Sequence, residues 1–373
     1  MGRNDGVIFT VNPGSTSTKC ALFYLKNSHK IERITEETIK HPDKEINQFP
    51  NICDQIDYRE KHVWSFIEKY LPTDIKIIAC AGRGGMLTPV PSGAIKVNEE
   101  LVEFSLYTPV YQHASNLGAP LAYRIARHYG VSAYIVDPVS VDEFSSIARI
   151  SGSPDFPRFS FVHALNIRAT GHKFAEKIGK EFNAIRCVIS HLGGGFSIAA
   201  IENGRIIDND NRMEGAPFTP ERAGGIPPIP LVEACFSGEY TRESLLLKLY
   251  GEGGVYAYLG SKNMLELENR AKQGEQEVQK IYYAMIYQIA KEIAAMASVL
   301  NFEMDGIVIT GGLANDHFLI NGLKEKIKKL GNIYIYPGSN ENEALAETVA
   351  RVLRGKENYL NWPVKFRQSE EKQ

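Results

Sequence analysis

No run of about 18 uncharged apolar residues occurs in the sequence, so no helix is expected to cross a membrane. Net charge is nearly absent as well. At −2 with a pI near 6.5, the chain lacks the basic excess that a nucleic-acid backbone or an anionic membrane surface would attract, and neither is expected as a partner. Any cationic site must be local. Cysteines are few and poorly matched: five in all, at Cys20, Cys53, Cys80, Cys187 and Cys235, odd in number and without a CxxC pair. That excludes a disulfide framework and gives no sign of a zinc cluster. The opening Met1–Asp5 runs straight into a strand pattern with no apolar segment of about 7–15 residues before it, so a reducing, cytoplasmic location is the expectation.

Two common nucleotide signatures are missing too. The turn Asn12-Pro-Gly-Ser-Thr-Ser-Thr-Lys19 lacks the Gly-Lys-Ser/Thr end of a Walker loop and leads into a strand where that loop needs a helix. Gly193–Gly195 also opens into a strand, whereas a dinucleotide fingerprint requires a helix N-terminus.

What is present is ordinary globular composition, 43% hydrophobic and 23% charged over 373 residues, enough for two or three domains. Val7–Val11 is β-branched and aromatic and reads as a strand; Cys20–Tyr24 reads as its hairpin partner. Between them, Pro13-Gly14 turns the backbone, Ser15 to Thr18 supply hydroxyl donors and Lys19 a charge. Such a tip is either an ordinary polar loop or an anion site. Glu32–Asp43 predicts a third strand with a loop, Asp57–Tyr70 a helix, and Ile75–Cys80 a buried strand ending in Gly82-Arg83-Gly84-Gly85. Arg83 is either a solvated turn residue or a ligand group to which the glycines give access.

Helical patterns follow from Asn98 and over Pro120–Tyr129, then a strand, Val131–Val136, that ends at Asp137-Pro138. An acid at the carboxyl end of a strand is where open α/β sheets place ligand groups, although Asp before Pro is also a common turn starter. Ser151–Arg158 reads as a loop and domain boundary, and Phe161–Phe182 as a helix with His163 in its first turn. Arg186–Asp208 repeats the opening design: buried strand, glycine turn, strand, Asn203-Gly204 hairpin, strand. Asp210–Pro230 is long and turn-rich, functional or disordered, with Arg222 against Gly224-Gly225 as Arg83 is among its glycines. Helices are expected over Ile229–Gly238, Arg242–Tyr250, Met264–Gln273 and Glu275–Asn301, the last with Tyr283, Ile286, Tyr287, Ile289 and Ile293 on its apolar side. Gly306–Asp316 is a third strand-to-glycine turn, Ile333–Tyr336 the last strand expected, and the tail after Lys356 polar and loosely held.

Three strand-to-glycine turns, two of them repeated in the two halves, resemble the actin, Hsp70 and sugar-kinase superfamily. Within it, Val11-Asn12-Pro-Gly-Ser-Thr-Ser-Thr-Lys19, Ser190-His191-Leu-Gly-Gly-Gly195 and Ile309-Thr310-Gly-Gly-Leu313 resemble the acetate and butyrate kinase family, in the same order over nearly the whole chain. The spelling of the first turn, the triple glycine and the short Gly-Arg-Gly-Gly turn lie nearer the butyrate branch. The resemblance implies an α/β fold of two duplicated actin-like (ribonuclease H-like) lobes, with mixed sheets flanked by helices and a nucleotide cleft between them. It implies an N-terminal lobe over residues 1–150, completed by a C-terminal helix within 344–373, and a C-terminal lobe over 151–343 with nucleotide and homo-oligomer contacts, hinged near 150 and 343.

It also implies phosphoryl transfer between ATP and a short-chain carboxylate, with Mg²⁺. Arg83 and Arg222 then match the paired catalytic arginines, His163 lies beside the transferring group, Asp137 orients near the carboxylate, and His113 lines the acyl site with Arg83. Asn12, Ser15, Ser17, Lys19, His191, Gly193, Gly194 and Gly195 would hold phosphates, Gly311 and Gly312 the nucleoside side, and Glu343 with Asn12 the metal. The sequence departs from acetate kinases at Gly194, where they carry asparagine, and around Gly312, where Leu-Ala-Asn replaces Ile-Gly-Glu-Asn. Two other readings remain at this stage. A hydroxyl kinase on the same scaffold would need an Asp base, and a nucleotide-gated binding protein would need no glycine-set arginines.

Overall fold

The computed structural model describes residues 5–26, 30–211 and 215–364; Glu214 and the tail beyond Val364 lie outside them. In chain order the strands are β1 (Gly6–Pro13), β2 (Ser17–Leu25), β3 (Ile31–Lys40), β4 (Ile77–Arg83), β5 (Ala94–Lys96), β6 (Ser132–Val136), β7 (Arg186–Leu192), β8 (Phe196–Glu202), β9 (Arg205–Asn209), β10 (Gly306–Gly311), β11 (Ile333–Pro337) and β12 (Tyr359–Asn361). They form a seven-stranded sheet in the order β12-β5-β6-β4-β1-β2-β3 and a five-stranded sheet in the order β11-β10-β7-β8-β9. Two compact units contain them. One takes the chain up to Asp142 and again from Asn340, and the other runs from Glu143 to Ser339.

Each sheet repeats one plan. In the first unit β1, β2 and β3 make an antiparallel meander, and β4 and then β6 add in parallel beside β1. In the second, β7, β8 and β9 make the meander, and β10 and β11 add in parallel beside β7. Every residue of β1 is buried, as are those of β10, so both faces of these strands are covered and the near-continuous apolar runs of the sequence are accounted for.

In the first unit Val63, Phe66 and Ile67 of the helix Ile56–Tyr70 pack in the same core as Val7, Phe9 and Val11. The helix Gly118–Tyr129 lies on β4 and β6 and stops where Gly130 takes the left-handed conformation, φ 66°. The returning chain supplies the helix Glu341–Leu353, which packs on β1, β2 and β4.

Several expectations need correcting. Where a loose tail was expected, the chain beyond the C-terminal helix, which ends at Leu353, adds β12 parallel to β5, a pairing too short to announce itself by pattern. Trp362 is buried there, its ring 5.1 Å from Phe104 and its carbonyl accepting from Asn98 Nδ2 at 2.9 Å, so the segment to Val364 is anchored. Residues 143–150 belong with the second unit, tied by the Ile206 N–H to Glu143 Oε2 (2.9 Å) and the Ser145 N–H to Ile207 O (3.2 Å). The helix at His163 starts only at Ala164 and ends at Ile178, where Gly179 turns it off at φ 70°.

The long helix Gln276–Val299 buries Val278, Tyr282, Met285, Ile286, Ile289 and Ile293, while Tyr283 and Tyr287 are more than half exposed. Its apolar stripe is therefore rotated from the one expected, because tyrosine counts as apolar by composition yet fits either face. Among the described residues, no helix is long and apolar enough to cross a membrane.

The glycines around Arg83 also have a different use from the one expected. A Cβ on Gly82 would lie 2.2 Å from the Gly118 carbonyl oxygen, one on Gly84 2.5 Å from Pro138 Cβ, and one on Gly85 2.5 Å from Asn116 Oδ1. The missing side chains let the protein's own backbone close over the end of β4. Gly82→Ala drives its Cβ into the Gly118 backbone, and overpacking of this kind costs about 1–3 kcal/mol. Urea denaturation of Gly82→Ala is expected to show a loss of that size; unchanged stability would mean that the helix does not seat against β4 as described.

Candidate active site

Each unit gathers one set of the expected residues at the ends of its central strands. In the first unit the register that puts Val11 beside Gly82 brings Asn12 and Arg83 to the same edge of the sheet. Glu341, in the first turn of the helix Glu341–Leu353, bridges them: Asn12 Nδ2 donates to its Oε2 and Arg83 Nη1 to its Oε1. Burial alone would raise the Glu341 pKa, but the Arg83 charge, these two hydrogen bonds and Lys19 outweigh it and leave it below the usual carboxylate value. The acid at this edge is thus Glu341. Glu343, the residue expected here, is two positions along the helix and accepts from Asn340 Nδ2 at 3.3 Å. Asn340-Glu341-Asn342-Glu343 offers two acids, and only the phase of the helix decides which one turns toward the strand ends.

Asp137 follows β6, which pairs with β4 so that Arg83 lies opposite Val136. It is 4% exposed with φ 41°, uncommon for a residue with a side chain. Two reciprocal bonds hold it: the Gly93 N–H donates to its Oδ1 at 2.6 Å, and its own N–H donates to Gly93 O at 3.1 Å. Ser15 is exposed on the turn between β1 and β2, and at the start of β2 Ser17 is half-buried and Lys19 exposed. His113 is exposed and caps the short turn Ala114–Leu117, its Nδ1 accepting from the Ser115 N–H at 3.1 Å. In the neutral ring the proton then sits on Nε2.

The second unit sets two histidines face to face. His163 and His191 stack with ring centres 4.1 Å apart and planes 20° from parallel. Ser197 Oγ accepts from the His163 N–H at 3.2 Å and lies 2.8 Å from His163 Nδ1. Asn166 Nδ2 lies 2.7 Å from His191 Nδ1 and donates to it. The neutral His191 ring therefore carries its proton on Nε2. The His191 Nε2 lies at the glycine turn, 3.2 Å from where a Cβ on Gly193 would be. Asn166 also reaches Thr310 Oγ1 at 3.3 Å, which links the ends of β7 and β10. Asn166 and Ser197 were not singled out in the sequence. The signal for Asn166 was its place three residues after His163, on the same helical face.

Arg222 approaches the triple-glycine turn from the segment after β9. From Ala216 on that segment is tied down: the Thr219 N–H donates to Arg222 O (3.0 Å), Gly225 N–H to Ala216 O (2.9 Å), Ala223 N–H to Leu249 O (2.9 Å) and Thr219 Oγ1 to Gly194 O (2.8 Å). A Cβ on Gly195 would lie 2.5 Å from Arg222 Nη1, so glycine here makes room for the guanidinium. Burial lowers the Arg222 pKa against the smaller opposing pull of Glu221 and Tyr250. Its Nη1 is shut off from solvent without a hydrogen-bond partner among the described residues. Such a group is costly unless an anion completes it.

Gly311, φ 94°, ends β10 against the Leu192 carbonyl, and Gly312 beyond it faces open space. A short 3-10 turn, Gly312–Asn315, separates this glycine pair from the helix His317–Ile327. No group of three or more His, Cys, Asp or Glu able to hold a metal occurs among the described residues. The donor set at Glu341 and Asn12 is one carboxylate and one amide. That suits a hard cation whose other ligands are phosphate oxygens and water, as is usual for Mg²⁺.

Residues 161–352 match the model of the acetokinase family. The chain is 41% identical over 351 residues to butyrate kinase 2 of Clostridium acetobutylicum, covering 94% of this chain and 97% of that protein. Among solved structures, acetate kinase of Porphyromonas gingivalis superposes with a TM-score of 0.71 at 16% identity, over 93% of this chain and all of that one. A propionate kinase from Francisella tularensis gives 0.70 at 17% identity, over 92% and 98%. At those identities the structures speak for the fold, an actin-like α/β architecture with two mixed sheets flanked by helices. Taken with the identity that runs through nearly the whole sequence, they show that this chain belongs to the acetokinase family, the acetate and butyrate kinases.

Proposed function

We propose that the protein transfers the γ-phosphoryl group of ATP to the carboxylate of a short-chain fatty acid, butyrate or a branched relative, and runs the reverse, ATP-forming reaction from the acyl phosphate and ADP. The observation that carries this is Arg222, whose buried Nη1 lacks a partner beside a turn of three glycines. The relative named as a butyrate kinase, matched along nearly its whole length, favours a four-carbon acid over acetate.

The physical problem is charge. Two like charges about 4 Å apart repel by ~1 kcal/mol in water and ~4 kcal/mol at an effective dielectric of 20, and a carboxylate must approach a triphosphate. Arg222 and Arg83 offset that repulsion and the charge that spreads over the equatorial oxygens of an in-line transition state. His191, with His163 stacked against it, adds an Nε2 donor whose position is fixed before the substrate arrives, so little reorganisation remains for the reaction itself. A carboxylate is already ionised at neutral pH and needs no general base, so Asp137 orients and does not abstract a proton. Asn12, Ser15, Ser17 and Lys19 hold phosphate from one turn and Gly193–Gly195 from the other. Where acetate kinases have an asparagine at position 194, the backbone here supplies the contact. Gly311 and Gly312 lie on the nucleoside side, His113 on the acyl side. Glu341 and Asn12 would hold Mg²⁺, which would help neutralise the phosphates.

The second unit also supports assembly of like chains. The helix Pro228–Phe236 is largely apolar yet has no buried residue, with Ile229 72% and Phe236 87% exposed. A homo-oligomer that uses this face accounts for exposed side chains of that kind.

Enzyme, Mg-ATP and straight or branched acids of two to five carbons are expected to give acyl phosphates, trapped as hydroxamates, with the best rates near four carbons. No hydroxamate with any acid would sink the reading. Arg222→Ala is expected to keep its circular dichroism and lose about 10³-fold or more in turnover; full activity would remove the assigned role. Light scattering is expected to give more than one chain per particle, and Phe236→Asp to lower that number. A monomeric wild type would refute assembly without touching the chemistry.

A further inference from the structure

Resting on the reading of the first turn as a phosphate holder, we propose that Arg59 is a positioning residue for the nucleotide, fixing from behind the turn that meets the phosphates. Arg59 lies on the helix Ile56–Tyr70 and is 0% exposed. Its Nη1 donates to Gly14 O (2.9 Å), Ser17 O (3.1 Å) and Thr18 Oγ1 (3.1 Å), and its Nη2 to Ser15 O (3.0 Å). Gln55 Oε1 takes Nε at 3.0 Å and Nη2 at 2.9 Å. The remaining carbonyl of the tip, Thr16 O, accepts from the His41 N–H at 2.8 Å, and His41 Nε2 lies 2.8 Å from Thr18 Oγ1. All four carbonyls from Gly14 to Ser17 are thus taken up by the protein, three of them by one guanidinium.

Two consequences follow for an anion. A carbonyl oxygen turned toward a phosphate repels it, and here every one at the tip is held inward, which leaves hydroxyl and amide hydrogens to face the ligand. Second, no carboxylate pairs with Arg59 among the described residues, so its charge stays uncompensated directly beneath the turn. A buried charge without a counter-ion is unfavourable in a purely structural role. Beneath a triphosphate site the incoming anion provides the missing charge, and the planar fork of arginine is what reaches three carbonyls at once.

The test compares wild type with Arg59→Lys, which keeps the charge and loses the fork, and Arg59→Met, which loses both. Arg124→Gln serves as control, since Arg124 pairs with Asp57 and Glu60 of the same helix and leaves the turn alone. Arg59→Lys is expected to unfold cooperatively, raise the KM for Mg-ATP about tenfold and leave the KM for butyrate within about twofold. Arg59→Met is expected to raise the ATP value further, and the control to match wild type. An unchanged ATP KM in Arg59→Lys, a parallel rise in both KM values, or loss of its cooperative unfolding each overturns the proposal. If wild type phosphorylates no carboxylate, the kinase reading fails on its own. Calorimetric binding of Mg-ADP by the same variants then decides the role of Arg59, with weaker binding expected and equal binding contradicting it.

Discussion

Guanidinium groups drawn out of solvent, Arg59 and Arg222 with no carboxylate partner among the described residues and Arg83 with one, set the constraint on which the rest of the structure depends. Arg222 has an Nη1 closed off from water and unpartnered among the described residues. Arg59 is wholly buried against carbonyls, and Arg83 is paired with the carboxylate of Glu341. Burial of this kind is tolerated only if structure elsewhere holds the groups in place, and the fold does so at each one. Gly195 leaves the space that Arg222 fills, the pinned segment after β9 holds its backbone, and the glycines around Arg83 let neighbouring backbone close over the end of β4. Preorganisation of this sort lowers a barrier because the donors do not have to be gathered while the reaction runs.

The repeated sheet plan shows how one architecture was given two chemistries. Both central strands end in a turn that leads into an antiparallel partner, and neither turn has a helix dipole to offer an anion. The first turn compensates with hydroxyls, a lysine and a guanidinium underneath it. The second has bare glycine backbone, two stacked histidines and Arg222 alongside.

Much of this was legible in the sequence, and the parts that were not share a cause. Apolar strands such as Val7–Val11 and Ile307–Ile309 declared themselves, because a strand covered on both faces must be apolar throughout. The glycine turns and the family resemblance were equally plain. What failed was phase and distance. Tyr283 and Tyr287 were placed on the wrong face of their helix, and that Glu341 meets Asn12 and Arg83 was not foreseen, because one residue of helical rotation moves a side chain by about 100°. β5 and β12 are three residues each and exist only through their partners. The glycines beside Arg83 looked like room for a ligand, and only packing shows that Gly118, Pro138 and Asn116 occupy it. Arg59 carried no signal at all, since an arginine in an amphipathic helix is ordinary until its carbonyl partners, more than forty positions earlier in the chain, are seen.

Stabilisation of the transferring phosphoryl group by Arg222, rather than binding of nucleotide in general, is the claim on which the mechanism stands. It is tested most directly by comparing the affinity of wild type and Arg222→Ala for Mg-ADP alone and for Mg-ADP with butyrate and a planar metal fluoride that mimics the group in flight. Wild type should bind the complete mixture far more tightly than ADP alone, and Arg222→Ala should lose that excess while binding ADP nearly as well. An equal loss of affinity for both, or an excess that survives the substitution, would contradict it.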